Sequence, residues 1–550
     1  MRKLASIVAV LGAVGIFGLT AGSASAPFVK PTKQQIAQRI LDRAILTAPA
    51  HAYFAAMARG DQRLTPDAPA TKLSGRATVN GSKPGGGGLT NVRVTNPSED
   101  THQTEQTTQS ETAIAVAGSN VAVGFNDSQT TLLFLTPASD LSGYAYSHDG
   151  GATFTDGGAL PNNTPTINFG DPWLASNSSG TMYYSNLVDD PFTGLLVGVA
   201  SSSDGGQTWT VPTELPVPPQ GPNSSFGGAD KDALTASGSS LYDSWDDLSF
   251  TFDPNTGSLL VSSGLTVATS STGGQSWQSV YADQVPIFDS NNPCVFHQYI
   301  GAQPLVGNDG TVYDFALRFD VNDPVAGDQP PCPNAQPQTE SEVVAISHDG
   351  GASFSKPTTI AAVNSSTGFP FGAFQLGPGQ LMRNLEFPTV AQQNGTLYIA
   401  WNDGASGQSH IMVSKSGDAG ATWSAPAAVT SGSNNEAQPA ISADASGIHI
   451  LYYEISPSGP GTSQLDTVVA NSRNNGHSWS MTRVTSQSFP GVYSAPQFDP
   501  IIAPAYMGDY IANVSDGSHQ YFAWGDNRDL VTNFLWPQGR HDPDVFFARN

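Results

Sequence analysis

The sequence predicts an almost all-β chain that closes into a β-propeller of four-stranded antiparallel blades, seven by closure with six as the alternative, behind a short helical N-terminal segment. Three observations predict it. A Ser-x-Asp-x-Gly-x-x-aromatic signature recurs, exact or degenerate, six times after residue 140. A matching set of strand signals precedes each copy. With 57 Gly and 40 Pro in 550 residues, turns must be frequent and long helices few.

The repeat decides the fold. Its full copies are Ser147-Asp149-Gly151-Phe154, Ser202-Asp204-Gly206-Trp209, Ser347-Asp349-Gly351-Phe354 and Ser416-Asp418-Gly420-Trp423; Ser270-Thr272-Gly274-Trp277 and Ser472-Asn474-Gly476-Trp479 are degenerate copies. Ser and Asp side chains bond nearby backbone N–H groups and hold a tight turn. Gly accepts positive φ there. The aromatic is expected to drop between neighbouring sheets and bury a large apolar area. Each copy closes a strand unit such as Pro388–Ala391, Leu397–Trp401 and Ile411–Val413. After the sixth copy comes a seventh unit without a signature: Tyr510–Ala512, Tyr521–Trp524 and Val545–Phe547. A ring must close to leave no unpaired edge, and Asn91–Val94 is the segment predicted to supply the missing fourth strand.

These signatures are Asp boxes, and over residues 91–550 the chain resembles the sialidase (neuraminidase) superfamily. The resemblance implies an Asp-box propeller in which the boxes are structural, on outer turns away from any site. Sialidases have six blades, so a seventh is a departure.

Ahead of the repeats, Arg2 and Lys3, an apolar run from Leu4 to Leu19 and Ala24-Ser25-Ala26 read as a signal peptide over 1–26. The mature chain is therefore expected to be secreted. Residues 27–90 read as a helical pro-segment or tether. Apolar residues recur at helical spacing between Thr32 and Ala58, and a Pro/Gly-rich linker follows to Thr90. Residues 111–550 carry ten Lys/Arg against forty Asp/Glu, which argues against nucleic acid or anionic membranes as partners. Such a surface keeps the protein soluble and could attract Ca²⁺ in a structural role; no other cofactor and no catalytic metal is predicted. A monomer acting on a glycan or polysaccharide is the expected form. Cys294 and Cys332, the only cysteines, fall beside the fourth inner strand and in the loop after its partner, and are expected to be bridged.

Aligning the start of each inner strand gives Glu111, Asp171, Asp230 with Asp232, His297, Glu386, Glu436 and Asp509. The ends of the antiparallel second strands give Asp127, Asn186, Asp246 with Asp247, Arg318 with Asp320, Asp403, Glu454, and Asp526 with Arg528. One rim of the ring should therefore be acidic, and a channel mouth is the default ligand site of such a ring. Capping and solubility also put polar groups at strand ends, so the coincidence of positions weighs more than any one residue.

Hydrolysis of a glycoside needs two carboxylates, one acid and one base or nucleophile. The sialidase resemblance implies another set: a Tyr nucleophile assisted by Glu, an Asp acid/base, and three Arg that grip a substrate carboxylate in bidentate fashion. Here Asp171 or Asp232 could be the acid. Tyr506 or Tyr510, beside Asp509, could be the nucleophile with Glu436 or Glu386 as partner. Arg318, Arg383 and Arg528 could form the clamp. The family's early Phe-Arg-Ile-Pro motif is absent, which weakens transfer of the sialidase mechanism. The leading expectation is a sialidase-like glycoside hydrolase. A non-catalytic glycan- or protein-binding propeller is the alternative, and a polysaccharide lyase using Tyr510 or His297 is a third reading.

Overall fold

The computed structural model describes residues 32–41, 46, 48–59, 78–80, 88–96, 108–127, 140–163, 165–289, 296–321, 339–367, 372–493, 507–532 and 539–550. Cys294, Cys332, Tyr506 and the predicted signal lie outside them. Two helices, α1 (Lys33–Leu41) and α2 (Ala48–Arg59), stand where one amphipathic patch is read in the sequence. All other regular structure among the described residues is β.

The strands form antiparallel meanders. Sheet I comprises Gln109–Ala117, Asn120–Asp127, Ser142–Ser147 and Thr153–Ala159. Sheet II comprises Trp173–Ser176, Met182–Asp190, Gly194–Ser202 and Thr213–Glu214. Sheet III comprises Ser224–Ser237, Ser240–Phe252, Leu259–Ser270 and Gln278–Asp289; one parallel pairing, Leu195 with Gly228, joins it to sheet II. Sheet IV is Phe296–Val306, Val312–Val321, Thr339–Ser347 and Thr358–Val363. Sheet V is Thr389–Gln393, Thr396–Asp403, His410–Ser416 and Ala427–Ala428, and sheet VI is Asn435–Asp444, Gly447–Gly459, Thr462–Ser472 and Ser480–Arg483. Sheet VII pairs Ala512–Ser515, Gln520–Val531 and Arg540–Arg549 with Asn91–Arg93 from the other end of the chain. First strands of successive sheets lie side by side, and that of sheet VII lies beside that of sheet I. The arrangement is propeller-like.

The linker region is not bare. Thr78–Asn80 adds an outer strand to sheet I. A hairpin, Ala373–Gly377 and Gln380–Arg383, with Val492–Tyr493, makes a small sheet ahead of sheet V.

Side chains that alternate along the strands fill the gaps between sheets. Trp245, Trp401 and Trp524, on the second strands of sheets III, V and VII, are fully buried. The repeated turns key each sheet to the one before it. In each full copy the Ser hydroxyl accepts the Gly N–H, at 2.9 Å for Gly151 and 2.8 Å for Gly351, while donating to the Asp carboxylate. The degenerate copies make the same turn, with Thr272 and Asn474 accepting from the Ser276 and Ser478 N–H groups. Trp209 of sheet II sits edge-on to Tyr144 of sheet I and to Tyr184. Phe154 of sheet I packs on Phe547 of sheet VII, and Trp423 of sheet V on Phe315 of sheet IV. Burial of these aromatics is less uniform than the sequence suggests. Phe154 and Trp209 are buried, whereas Trp277, Phe354, Trp423 and Trp479 are half-buried.

Candidate functional site

The inner strands share a local irregularity that builds the site. Sheets I, III, IV and VI each carry a two-residue bulge, between Ser110 and Ala113, Asp230 and Ala233, Ile300 and Gln303, and Ala437 and Ala440. The first bulged residue has positive φ: Glu111 53°, Lys231 44°, Gly301 72° and Gln438 51°. Asp171 (54°) and Gly508 (89°) take the same conformation just ahead of the first strands of sheets II and VII. A left-handed non-glycine residue costs on the order of 1–3 kcal/mol, and such strain concentrates at functional sites. Here it turns the ladder aside and leaves Lys231, Gly301 and Gln438 on the wall of a small central cavity of about 130 Å³, lined also by Thr112, Trp173, Asp509 and Tyr510.

This register corrects the alignment read from sequence. Gly301 and Gln438, not His297 and Glu436, occupy the bulge of sheets IV and VI, and Asp509 stands one residue past it. Lys231 and Gln438 escaped the sequence reading because attention went to carboxylates. A proline immediately before the ladder resumes, as in Asp171-Pro172 and Gln438-Pro439, is the signal that could have found the column.

Asp171, Asp232, Asp509 and Arg383 come together. Glu111 organises them: one carboxylate oxygen accepts the Asp509 N–H at 3.0 Å and the other the Asn126 amide at 2.8 Å, while Asn126 accepts the Asp171 N–H at 2.8 Å. Burial, then the charge of Asp230, pushes the Asp171 carboxyl up to about 7. Burial likewise lifts Asp232 to about 7 against the opposing pull of Lys231. Asp509 is raised to about 7 by burial, opposed by Arg383, whose Nε lies 3.2 Å from its Oδ1. Both Asp509 oxygens lack a hydrogen bond among the described residues. Lys231 Nζ lies 3.9 Å from the Tyr510 ring centre and 4.6 Å from that of Trp173, so two π-faces steady its charge between the acids.

Glu386, Glu436, Arg318 and Arg528 have other partners, and Tyr510, though beside Lys231, is not set up as a nucleophile. Glu386 accepts the Ser366 N–H at 2.8 Å and the Asn384 amide at 2.9 Å; burial raises it to about 8, with Glu340 adding to the rise. Glu436 is held by His410 and Thr430, both at 2.8 Å. Arg318 pairs with Asp320, Arg528 with Asp526, and Arg383 with Asp509, so three separate carboxylates hold the three guanidinium groups. Tyr510 donates its hydroxyl to the Pro172 carbonyl at 3.0 Å, and burial raises its pKa, the reverse of what an activated phenolate needs. Among the described residues no three His, Cys, Asp or Glu side chains form a metal-holding group.

No protein-family model and no curated protein matches the chain. Solved structures of similar shape include the GH93 α-L-arabinofuranosidase of Fusarium graminearum with arabinobiose, at 12% identity and TM-score 0.41, covering 69% of this chain and 97% of that one. An ulvan lyase of polysaccharide lyase family PL25 is 9% identical, with TM-score 0.44 over 80% of this chain and 94% of the lyase. A variant of the NanB sialidase of Streptococcus pneumoniae is 11% identical, with TM-score 0.36 over 78% of this chain and 83% of the sialidase.

Proposed function

We propose that this is a secreted, seven-bladed propeller that cleaves an extracellular glycan by acid–base chemistry at the axis, with Asp171, Asp232 and Asp509 as the proton-carrying groups. The observation that carries the reading is the grouping of three buried carboxyls, each raised to about 7, with Lys231 and Arg383, beside a cavity whose wall includes Lys231 and Asp509. A carboxyl with a pKa near neutrality keeps its proton at neutral pH and can still give it to a leaving oxygen. Like-charged neighbours push their titrations apart, so in the Asp171–Asp232 pair one group serves as acid while the other stays ionised as base or nucleophile. Lys231 and Arg383 supply fixed positive charge where negative charge develops or where an acidic sugar would bind. The seven-blade count is supported by the unbroken succession of first strands from sheet I to sheet VII and back.

The test is release of reducing sugar from sialylated, arabinose-containing and uronate-containing polysaccharides, repeated with Asp171→Asn and Asp232→Asn. Loss of about 10²–10⁴ in rate in both variants supports the reading. Activity equal to the parent in both, or absence of turnover on every glycan with binding retained, removes it in favour of a non-catalytic binding propeller.

A further inference from the structure

We infer that α1, Leu46 and α2 are a built-in cap on the mouth of the central cavity and that undocking them opens the site; the inference rests on the reading of that cavity as the place of chemistry. The segment is seated by apolar contact. Ala37, Leu46, Ala50 and Phe54 are at most 1% exposed and share one apolar cluster with Leu187, Leu195, Ala229 and Leu248 of sheets II and III. A Cβ placed on Gly228 would stand 3.1 Å from the Phe54 ring, so the ring rests on the strand that leads directly to Asp230, Lys231 and Asp232.

On the other side the segment reaches the site itself. The Leu46 carbonyl accepts a 2.6 Å hydrogen bond from Nη2 of Arg383, the guanidinium that faces Asp509. A backbone oxygen thus takes a donor that an anionic or hydroxyl-rich ligand would use. Two further facts point the same way. The cavity's 130 Å³ is well below the roughly 300 Å³ at which ligand sites begin, and Asp509, the partner of Arg383, stands on its wall. Neither α1 nor α2 contributes to a sheet, and among the described residues the next strand is Thr78–Asn80. Lifting the helices away therefore breaks no ladder hydrogen bond. The intervening sequence, residues 60–77, contains Pro66, Pro69 and three basic residues, Arg63, Lys72 and Arg76.

In the full chain, residues 66–71 (PDAPAT) are replaced by the recognition sequence of a site-specific protease, and the cut protein is separated from its N-terminal piece by gel filtration. Phe54→Asp in the same chain drives off a piece that stays bound after cutting, and serves uncut as a second route to undocking. The measurements are amide hydrogen exchange at Phe226–Asp232 and at Gly372–Arg383, and turnover on the polysaccharides named above. Expected is exchange faster by about tenfold or more at both stretches, with a rise in turnover of the same order. Unchanged exchange, unchanged turnover despite measurable activity, or unfolding of the whole protein once the piece is gone would each overturn the cap; the last would make the segment a brace. Faster exchange with no turnover in either form keeps the cap and removes the glycan-cleaving reading.

Discussion

Aspartate does opposite things at the outside and the centre of this molecule. In the outer turns Asp349 and Asp418 receive hydrogen bonds from Ser353 and Thr422, side chain and backbone alike, and these hold Asp349 at about 2 and Asp418 below the usual carboxylate range. At the axis Asp171, Asp232 and Asp509 lie out of water among other acids, and burial lifts each to about 7. The turn surrounds its carboxylate with N–H and O–H groups that the repeat supplies. The bulge removes the carboxyl from its ladder and gives it few donors. The first arrangement locks a corner; the second keeps protons available at neutral pH.

The sharpest break of this contrast is in activity. Asp232→Asn is expected to lower turnover by about 10²–10⁴, whereas Ser347→Ala, in an outer turn, should leave it unchanged when both are assayed on one substrate. In stability the outer aromatic weighs most: Trp209→Ala removes a ring packed on Tyr144 and Tyr184 and should cost about 3–5 kcal/mol in denaturant unfolding. Next comes pH. The turn aspartates contribute stability above the ordinary carboxylate pKa near 4, and Asp349's share is lost as pH falls through about 2. The axial carboxyls work in reverse, contributing fully below about 4 and losing that contribution as pH rises through about 7, or about 8 for Glu386. The melting temperature should therefore be highest near pH 4, fall progressively between about pH 4 and 8, and level off above that. Asp171→Asn should flatten that fall and gain roughly 2–4 kcal/mol at pH 9; an unchanged slope would show that the axial acids are not what titrates. The smallest effect is at the turn hydroxyl: Ser347→Ala should cost about 1 kcal/mol at any pH between 4 and 6, read from the shift in denaturant midpoint.

The architecture was largely legible because its signals are local. Ser147, Asp149, Gly151 and Phe154 lie within eight residues and carry their own turn. The pairing of Asn91–Arg93 with the last strand followed from counting edges. The site was legible only in part. Asp171, Asp232, Asp509 and Arg383 were marked and do converge, but Glu386, Glu436, Arg318 and Arg528 were marked by the same logic and sit elsewhere. Rim position says which end of a strand a residue occupies; it does not say whether a bulge turns it to the axis. Lys231 lay hidden between two aspartates, and Arg383 belongs to an inserted hairpin that no repeat announces. The seat of Phe54 on Gly228 depends on contacts far apart in sequence, which no window of residues displays.

The strand at Asn91–Arg93 closes sheet VII against Arg540–Arg549, so the earliest and latest parts of the ring are zipped together. Val92 and Val94 must wait in an unpartnered state while some four hundred and fifty residues are made behind them. Until the final strand arrives the chain carries two sticky borders, both suited to pairing with another molecule. Loss of even the last ten residues would leave the opening strand without its mate and the ring unlatched, so a chain shortened at its tail should accumulate as aggregates and not as a trimmed but working wheel.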